Sequence, residues 1–440
     1  MGRLFGTDGV RGVAGTELTA ELAAGLGRAA VTVLGRHGAG EAVVVVGRDP
    51  RASGVWLEEA LTGGIRAAGG DVILAGVEPT PAIAYMTVDL GASAGVVISA
   101  SHNPAEDNGI KFFSREGRKL PDAIEDEIEA ALADPAMDAA VPGGARPAGD
   151  AIDRYLEHLV EASLAPLDGM RVVVDCANGS ASAVAPALLS RLGADVTALN
   201  AEPDGVNINE GCGALHPDVV AEAVVRLGAD AGVSHDGDAD RALFASADGA
   251  VIDGDQVLAA SAIALHEAGE LTGDMVVATV MSNIGFERAM HEHGITLVRT
   301  RVGDRYVAEE MDRRGAVLGG EQSGHVIFRK YATTGDGLLS AVRFLSLAAS
   351  RGVGVGELAS MMRRYPQVMV NVRVDDRDAV AGSPTVAAAV RDAEVALGGG
   401  GRVLLRPSGT EPLVRVMVEA ETKDEADRHA RAIAEVVSAA

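Results

Sequence analysis

Three times along this chain a short apolar run breaks off into a polar loop. The run at 95–98 ends in SASHNPAEDN, the run before His235 ends in DGDADR, and the run leading to Gly320 ends in EQSGH. Before each of these, β-rich segments alternate with Ala-rich amphipathic stretches, the signature of βαβ units around a parallel sheet. Strands are expected at 42–47, 71–74 and 95–98, with a helix at 55–68. The pattern restarts at GMRVVVDCANG (169–179) and again at DMVVATVMS (274–282). Internal repetition of one α/β unit accounts for a chain of 440 residues, too long for a single ordinary core. From about Pro366 the order changes to strand (368–374), helix (383–397), strand (402–405), strand (413–420), helix (423–439), a small α+β unit. The expected domains are therefore 1–150, 151–252, 253–365 and 366–440, with the Pro/Gly/Ala-rich stretch 134–150 read as a linker.

Composition narrows the partners. A net charge of −25 weighs against nucleic acid and anionic membranes. No uninterrupted apolar stretch approaches the length of a membrane span, and the N-terminus lacks the apolar core of a secretory signal. Two cysteines without metal-type spacing suit a reducing cytoplasm. Lysine is scarce (Lys111, Lys119, Lys330 and Lys423 are all), so cations inside Gly-rich loops carry more weight than usual. The GLGRAA segment at 25–30 matches part of a dinucleotide fingerprint. It lies within a helical pattern with no strand before it, so it is set aside.

The polar loops each suggest a chemistry. In DGDADR, Asp236, Asp238 and Asp240 crowd three carboxylates together, an arrangement that a hard divalent ion such as Mg²⁺ resolves. An EF-hand is excluded, since Arg241 stands where glycine is required and Ala247 where glutamate is required. RPSGTEP (406–412) supplies Arg406, Ser408, Gly409 and Thr410, with Arg415 close behind, a composition suited to cradling phosphate. GGEQSGH brings Glu321, Ser323 and His325 to a strand end, where a carboxylate and a hydroxyl can grip neighbouring sugar hydroxyls. FGTDGVRG at 5–12 adds Thr7, Asp8 and Arg11. A metal, a phosphate cradle, a sugar clamp and a serine at a strand end together point to phosphoryl transfer on a phosphosugar, with a serine as carrier. The residues alone do not choose between Ser99 and Ser101.

SASHNP, DGDADR, GGEQSGH and RPSGTEP, in this order, resemble the α-D-phosphohexomutase superfamily over nearly the whole chain. FGTDGVRG and RPSGTEPLVRVMVE are most similar to its bacterial amino-sugar branch. The resemblance implies three similar α/β mixed-sheet domains plus a smaller C-terminal α+β domain, with the active site in a central cleft. It implies that Ser101 carries the phosphoryl group and that Mg²⁺ binds Asp236, Asp238, Asp240 and the Ser101 phosphate. Glu321 and Ser323 would hold sugar hydroxyls. Arg406, Ser408, Gly409, Thr410 and Arg415 would hold the non-reacting phosphate, and Arg305 would contact substrate. Arg11, Lys111 and Arg241 would line the transferring phosphate, with Lys111 and His325 as proton-transfer groups. The implied reaction moves a phosphoryl group between the two ends of a hexosamine monophosphate through a bisphosphorylated sugar, feeding UDP-N-acetylglucosamine and cell-wall synthesis. A bisphosphosugar activator, and a kinase or autophosphorylation acting at Ser101, would load the serine. Glucose or mannose phosphates are the alternative substrates. A phosphatase using Asp236 as nucleophile is disfavoured by Asp240, because such loops place Thr or Val there. A non-catalytic phosphosugar sensor is disfavoured by the intact serine and all three aspartates.

Overall fold

The computed structural model describes residues 3–6, 8–36, 42–133, 139, 141–408 and 412–440. Among them the strands form four sheets. The chain divides into two compact units, Met1–Val280 with Ile295–Ser360, and Met281–Gly294 with Met361–Ala440.

The larger unit contains the repeated α/β pattern. Its first sheet runs in the order Val10–Val13, Asp107–Ser114, Ala94–Ile98, Val43–Arg48, Asp71–Val77, Ala145–Pro147. The inner strands pair in parallel, whereas Asp107–Ser114 is antiparallel to both of its neighbours. The second sheet repeats the scheme. Ala231–His235 is parallel to Arg171–Asp175, and the chain then turns back antiparallel as Ala242–Ser246. The third does so again with Leu318–Gly320 and Val326–Phe328. Each of the three polar loops is thus the turn at which a parallel strand gives way to its antiparallel neighbour. Val-rich strands buried on both faces explain the near-continuous apolar runs.

Two expectations are corrected or absorbed here. The stretch 134–150 is not wholly a linker, because Ala145–Pro147 joins the first sheet in parallel with Asp71–Val77. Proline at that strand is tolerated because it lies on the sheet edge. Residues 134–138 and 140 lie outside the described residues. The GLGRAA segment lies inside the helix Ala20–Arg36, and its Gly27 serves packing. A Cβ there would come within 2.4 Å of the Leu61 carbonyl oxygen of the helix Ala52–Ala67, and one at Gly64 within 2.0 Å of the Ala24 carbonyl oxygen. Only glycine lets these two helices approach so closely.

The smaller unit holds the three-stranded antiparallel sheet Gln367–Arg373, Leu413–Glu419, Arg402–Pro407. Helices Pro384–Leu397 and Lys423–Ala439 cover its apolar face through Val386, Leu397, Ile433 and Val437.

One half-buried acid makes the larger unit sensitive to pH. Glu78 follows the strand Asp71–Val77, and its Oε2 is buried with no hydrogen-bond partner. Burial pushes its carboxyl up to about 7. The unfolded chain loses this proton near pH 4.3, whereas the native state keeps it, so native stability falls as pH rises from about 4 through about 7. Glu78→Gln removes that titration. The variant should unfold at a higher temperature than the parent at about pH 8 and at nearly the same temperature near pH 4. Thermal unfolding followed at both pH values checks this, and equal melting at pH 8 would contradict it.

Candidate active site

The serine loop follows the strand Ala94–Ile98, where Ser99 and Ser101 take different roles. Ser99 Oγ donates to Asp49 Oδ2 at 2.6 Å and accepts the Ser101 amide at 2.9 Å, which ties it into the scaffold. Ser101 adopts a left-handed backbone (φ 53°), and its Oγ donates to Asp236 Oδ2 at 2.7 Å. Ser101, not Ser99, therefore faces the acidic loop. His102 Nδ1 lies 3.2 Å from the same Oγ. Burial, with Arg241 and Arg11 nearby, pushes the His102 imidazole down to about 4, so it is neutral at physiological pH.

The acidic loop joins Ala231–His235 to Ala242–Ser246. Asp236, Asp238 and Asp240 are all buried and can bring one oxygen each within 4.8 Å of one another. Gly237 is required for the approach. A Cβ on it would meet the Ser101 carbonyl oxygen at 2.5 Å and Asn209 Nδ2 at 2.9 Å. Thr80 holds the loop from the first domain, its Oγ1 donating to Asp238 Oδ2 at 2.7 Å and its amide to the Asp238 carbonyl at 2.9 Å.

The three carboxyls do not titrate alike. Burial and the charges of Asp240 and Asp238 push Asp236 well above the usual carboxylate range. Burial and Asp238 raise Asp240 as well. Burial would raise Asp238 too, but Lys111, its Nζ 2.8 Å away, outweighs this and holds Asp238 low. Asp238 Oδ1 and Asp240 Oδ1 are buried without hydrogen-bond partners. Orphaned acceptors among mutually repelling carboxylates fit a hard divalent cation, which would lower all three pKa values at once.

Cations interleave with these acids. Lys111 lies on Asp107–Ser114, with Nζ 3.0 Å from Asp8 Oδ2 as well as touching Asp238. Burial alone would lower its pKa, but Asp238 and Asp8 outweigh this and raise it, keeping the ammonium charged. Asp8 also pairs with Arg11 and with Lys119, and Lys119 bridges on to Asp304 at 2.5 Å. Arg241 Nε lies 3.6 Å from Asp240 Oδ1 and 3.9 Å from Asp236 Oδ2. Asp8, Arg11, His102, Asp240, Arg241, Asp304 and Glu321 line one cavity of about 430 Å³.

The third loop closes the same cavity. Glu321 Oε1 accepts the Gly303 amide at 3.1 Å, and Ser323 Oγ is buried without a partner. Gly254 and Gly324 permit the backbone packing that seats this loop, each leaving under 2.5 Å for a Cβ. His325 is buried with Nε2 3.5 Å from Asp304 Oδ2, and neither ring nitrogen makes a hydrogen bond. Its ring occupies the space that a Cβ on Gly335 would fill. Arg305 is held by acids of a helix in the first domain. It pairs with Asp122 and with Glu125 of the helix Asp122–Leu132, at 2.7 Å to Glu125 Oε1, and lines a neighbouring cavity with Lys119 and His325. Two carboxylates facing its fork from another domain draw the guanidinium away from the cavity of Arg11 and Arg241.

The loops correspond to known proteins along the entire chain. Family models described as phosphoglucomutase/phosphomannomutase alpha/beta/alpha domains I, II and III and C-terminal domain match residues 2–137, 153–249, 253–365 and 369–436. Phosphoglucosamine mutases of Saccharopolyspora erythraea and Rhodococcus jostii are 56% and 55% identical over 443 residues, with 100% of each chain covered. The chain belongs to the phosphoglucomutase/phosphomannomutase family of α-D-phosphohexomutases. As a phosphohexomutase it is an enzyme, an intramolecular phosphotransferase. A crystal structure of a phosphoglucomutase/phosphomannomutase family protein from Burkholderia thailandensis has a TM-score of 0.84 at 25% identity, covering 99% of this chain and 97% of that one. An Aspergillus fumigatus N-acetylphosphoglucosamine mutase, solved with GlcNAc-6P and magnesium, shares the fold at TM-score 0.69 and 19% identity, covering 99% and 95% of the two chains.

In the smaller unit of this phosphohexomutase, Arg406 and Arg415 sit directly opposite one another across paired strands. Burial and the charge of Arg415 push the Arg406 guanidinium down from its usual range. Like charges facing across a sheet are destabilising, and an anion between them relieves the repulsion. Ser408 is buried, its amide donating to the Leu413 carbonyl at 2.9 Å. Gly409 and Thr410 lie outside the described residues.

Several site residues escaped the motif reading: Asp49, Arg51, Thr80, Asn209, Lys119 and Asp304. None lies in a polar loop of the three quoted motifs, and only tertiary closure brings them to the site. No helix among the described residues is long and apolar enough to cross a membrane.

Asp240→Asn tests the acidic loop without leaving Lys111 unpaired. Partners that merely orient metal ligands contribute about 10–100-fold to affinity, and a ligand should contribute at least that much. Mn²⁺ titration followed by electron paramagnetic resonance should show such a loss. Unchanged affinity would remove Asp240 from the cation site.

Proposed function

We propose that this chain interconverts glucosamine 6-phosphate and glucosamine 1-phosphate, with phospho-Ser101 as the phosphoryl carrier and a bisphosphorylated glucosamine as the intermediate. The observation that carries this reading is the Ser101 hydroxyl, 2.7 Å from Asp236 in a triad with two orphaned oxygens, in a chain matching named phosphoglucosamine mutases over its full length. The substrate is the finer step, resting on the relatives' names. Glucose and mannose phosphates are the second reading, favoured by the breadth of the family whose domain models match.

In the forward direction the phosphorus–Oγ bond of phospho-Ser101 breaks as a sugar hydroxyl oxygen bonds to phosphorus. The hydroxyl loses its proton, and Ser101 is left as the leaving alkoxide or hydroxyl. The bisphosphate then presents its other end and returns that phosphoryl group to Ser101. Mg²⁺ held by Asp236, Asp238, Asp240 and the phosphoserine would neutralise phosphoryl charge when bound. Arg11 and Arg241, which line the cavity, would meet the same oxygens. Lys111, held charged between two carboxylates, suits a fixed positive charge. His325, with both ring nitrogens free of hydrogen bonds, suits proton transfer, and Asp304 is placed to orient it. Glu321 and Ser323 would accept and donate to sugar hydroxyls, and Arg406, Ser408, Gly409, Thr410 and Arg415 would hold the phosphate that does not react. Arg305 would join them only by leaving Asp122 and Glu125.

The four-domain division at 150, 252 and 365 belongs to the same proposal. So does loading of Ser101 by a bisphosphosugar, by a kinase or by autophosphorylation. A cytoplasmic setting accords with two buried free thiols, Cys176 and Cys212.

A coupled assay on glucosamine, glucose and mannose 6-phosphates decides the substrate. The glucosamine phosphate should have the highest kcat/KM, and a higher value for glucose or mannose phosphate would establish the second reading. Ser101→Ala should reduce turnover by more than about a thousandfold, the scale of losing a covalent nucleophile. Ser99→Ala, which loosens the scaffold but spares the carrier, should remain measurably active. Arg406→Ala should act mainly on KM, raising it roughly ten- to hundredfold, since a charge-assisted hydrogen bond contributes about 1.5–3 kcal/mol. Steady-state kinetics separate these effects, and an unchanged KM would remove Arg406 from the phosphate site.

A further inference from the structure

Arg51 is fully buried and sits where a helix begins. It is the residue preceding Ala52–Ala67, a position at which Ser, Thr, Asp or Asn normally caps the exposed amides, and its side chain makes no cap. Its guanidinium turns instead to the serine loop. Nη2 donates to the Ser101 carbonyl at 3.0 Å and the Asn103 carbonyl at 2.8 Å. Nη1 donates to the carbonyls of Pro104 and, at 3.0 Å, Asp107. Nε is held by Asp49 Oδ2 at 2.8 Å, the same oxygen that takes the Ser99 hydroxyl.

A second donor comes from the next domain. Asn209 Nδ2 donates to the same two carbonyls, at 2.9 Å to Ser101 and 3.1 Å to Asn103. A carbonyl oxygen has two lone pairs, so this pairing fills both acceptors on each residue. Asn209 is itself left-handed (φ 61°), a conformation that asparagine adopts more readily than most residues. Its loop is anchored to the first domain, where the Ala52 amide donates to the Gly205 carbonyl at 2.9 Å. The clamped Ser101 carbonyl is also the atom against which Gly237 of the acidic loop rests.

We infer that Arg51 and Asn209 are positioning residues for phosphoryl transfer. From two domains they grip the Ser101 and Asn103 carbonyls, hold Ser101 left-handed and thereby set its Oγ against Asp236. This rests on the reading of Ser101 as the phosphoryl carrier. The strained serine backbone would otherwise relax toward φ < 0 and swing Oγ away from the acidic loop. Neither residue reaches the cavity where substrate would bind, so their loss should slow the chemical step and leave affinity alone.

Asn209→Gly removes the amide and keeps the left-handed backbone accessible. Parent and variant are loaded to equal phosphoserine content, verified by intact mass, and compared by steady-state and single-turnover kinetics. Displacing reacting atoms by about an ångström costs on the order of a hundredfold. The variant should therefore lose roughly 10–100-fold in kcat and in the single-turnover rate, with KM within about threefold of the parent and an unchanged melting temperature. The phosphoserine ³¹P resonance should shift, reporting altered surroundings of the group. Arg51→Lys keeps the charge but cannot span four carbonyls, and it should lose more. If that variant does not fold, Asn209→Gly decides alone. A parent-like kcat, a raised KM at constant kcat, or a loss of rate matched by a fall in melting temperature would each overturn the inference. Ser101→Ala separates the two levels. Turnover in it would defeat the carrier reading, whereas an inactive Ser101→Ala beside a parent-like Asn209→Gly would defeat the positioning role alone.

Discussion

Buried carboxylates cannot sit within 4.8 Å of one another, as Asp236, Asp238 and Asp240 do, unless something else carries compensating charge. Lys111 supplies part of it through Asp238, and Arg241 part through Asp240 and Asp236. The compensation is incomplete, since Asp236 and Asp240 remain pushed upward. The chain of alternating charge continues outward from Lys111 to Asp8, from Asp8 to Arg11 and Lys119, and from Lys119 to Asp304. A dication and a phosphoserine dianion would enter this array with equal and opposite charge. A dication would supply the positive charge that Lys111 and Arg241 leave lacking among the three aspartates.

The fold makes this array by using one device three times. A parallel strand ends, the chain turns, and an antiparallel neighbour leads it back, so that each domain of the larger unit presents one loop at the same edge of its sheet. Ligands in open α/β sheets bind where strand order or direction changes, because backbone groups and side chains splay there instead of pairing. What differs between the loops is the filling. The first offers a hydroxyl, the second carboxylates, the third a carboxylate, a hydroxyl and an imidazole. Glycines at 237, 254 and 324 let backbone approach backbone where the loops meet, and Gly335 leaves room for the His325 ring.

Much of this was legible in the sequence, for a definite reason. Side chains that do chemistry at strand ends interrupt apolar runs, so Ser101, the three aspartates, Glu321 and His325 appear as breaks in a pattern. The α/β repetition appears the same way, through the alternation of Val-rich and Ala-rich segments. Residues outside these loops leave no such break. Arg51 reads as a surface arginine ahead of a helix, and nothing local reveals that four carbonyls of a distant loop converge on it. Lys119 and Asp304 are separated by 185 residues and read as unrelated charges. Arg305 is the opposite case. Its motif is visible, but its partner is chosen by Asp122 and Glu125 on a helix of another domain. Ala145–Pro147 was hidden by composition, since proline and small residues suggest a linker unless a sheet edge is known to be waiting.

The arginine pair of the smaller unit follows a different physical logic from the serine loop. Arg406 and Arg415 face each other as like charges across paired strands, with Arg406 depressed by burial and by its neighbour. Such a pair would favour a dianion beside its guanidiniums, whichever sugar carries it. In the proposed reaction, a phosphate held there stays unreacted from substrate to transition state, so its contacts contribute equally to both and appear in affinity. The serine loop has the reverse assignment. Arg51 and Asn209 spend their hydrogen bonds on backbone carbonyls instead of substrate, and any advantage they confer is confined to the geometry of transfer. An enzyme that must accept a bisphosphate in either orientation gains from this separation. Recognition can remain tolerant at the arginine pair while the reacting oxygen is held by a clamp that never touches the sugar.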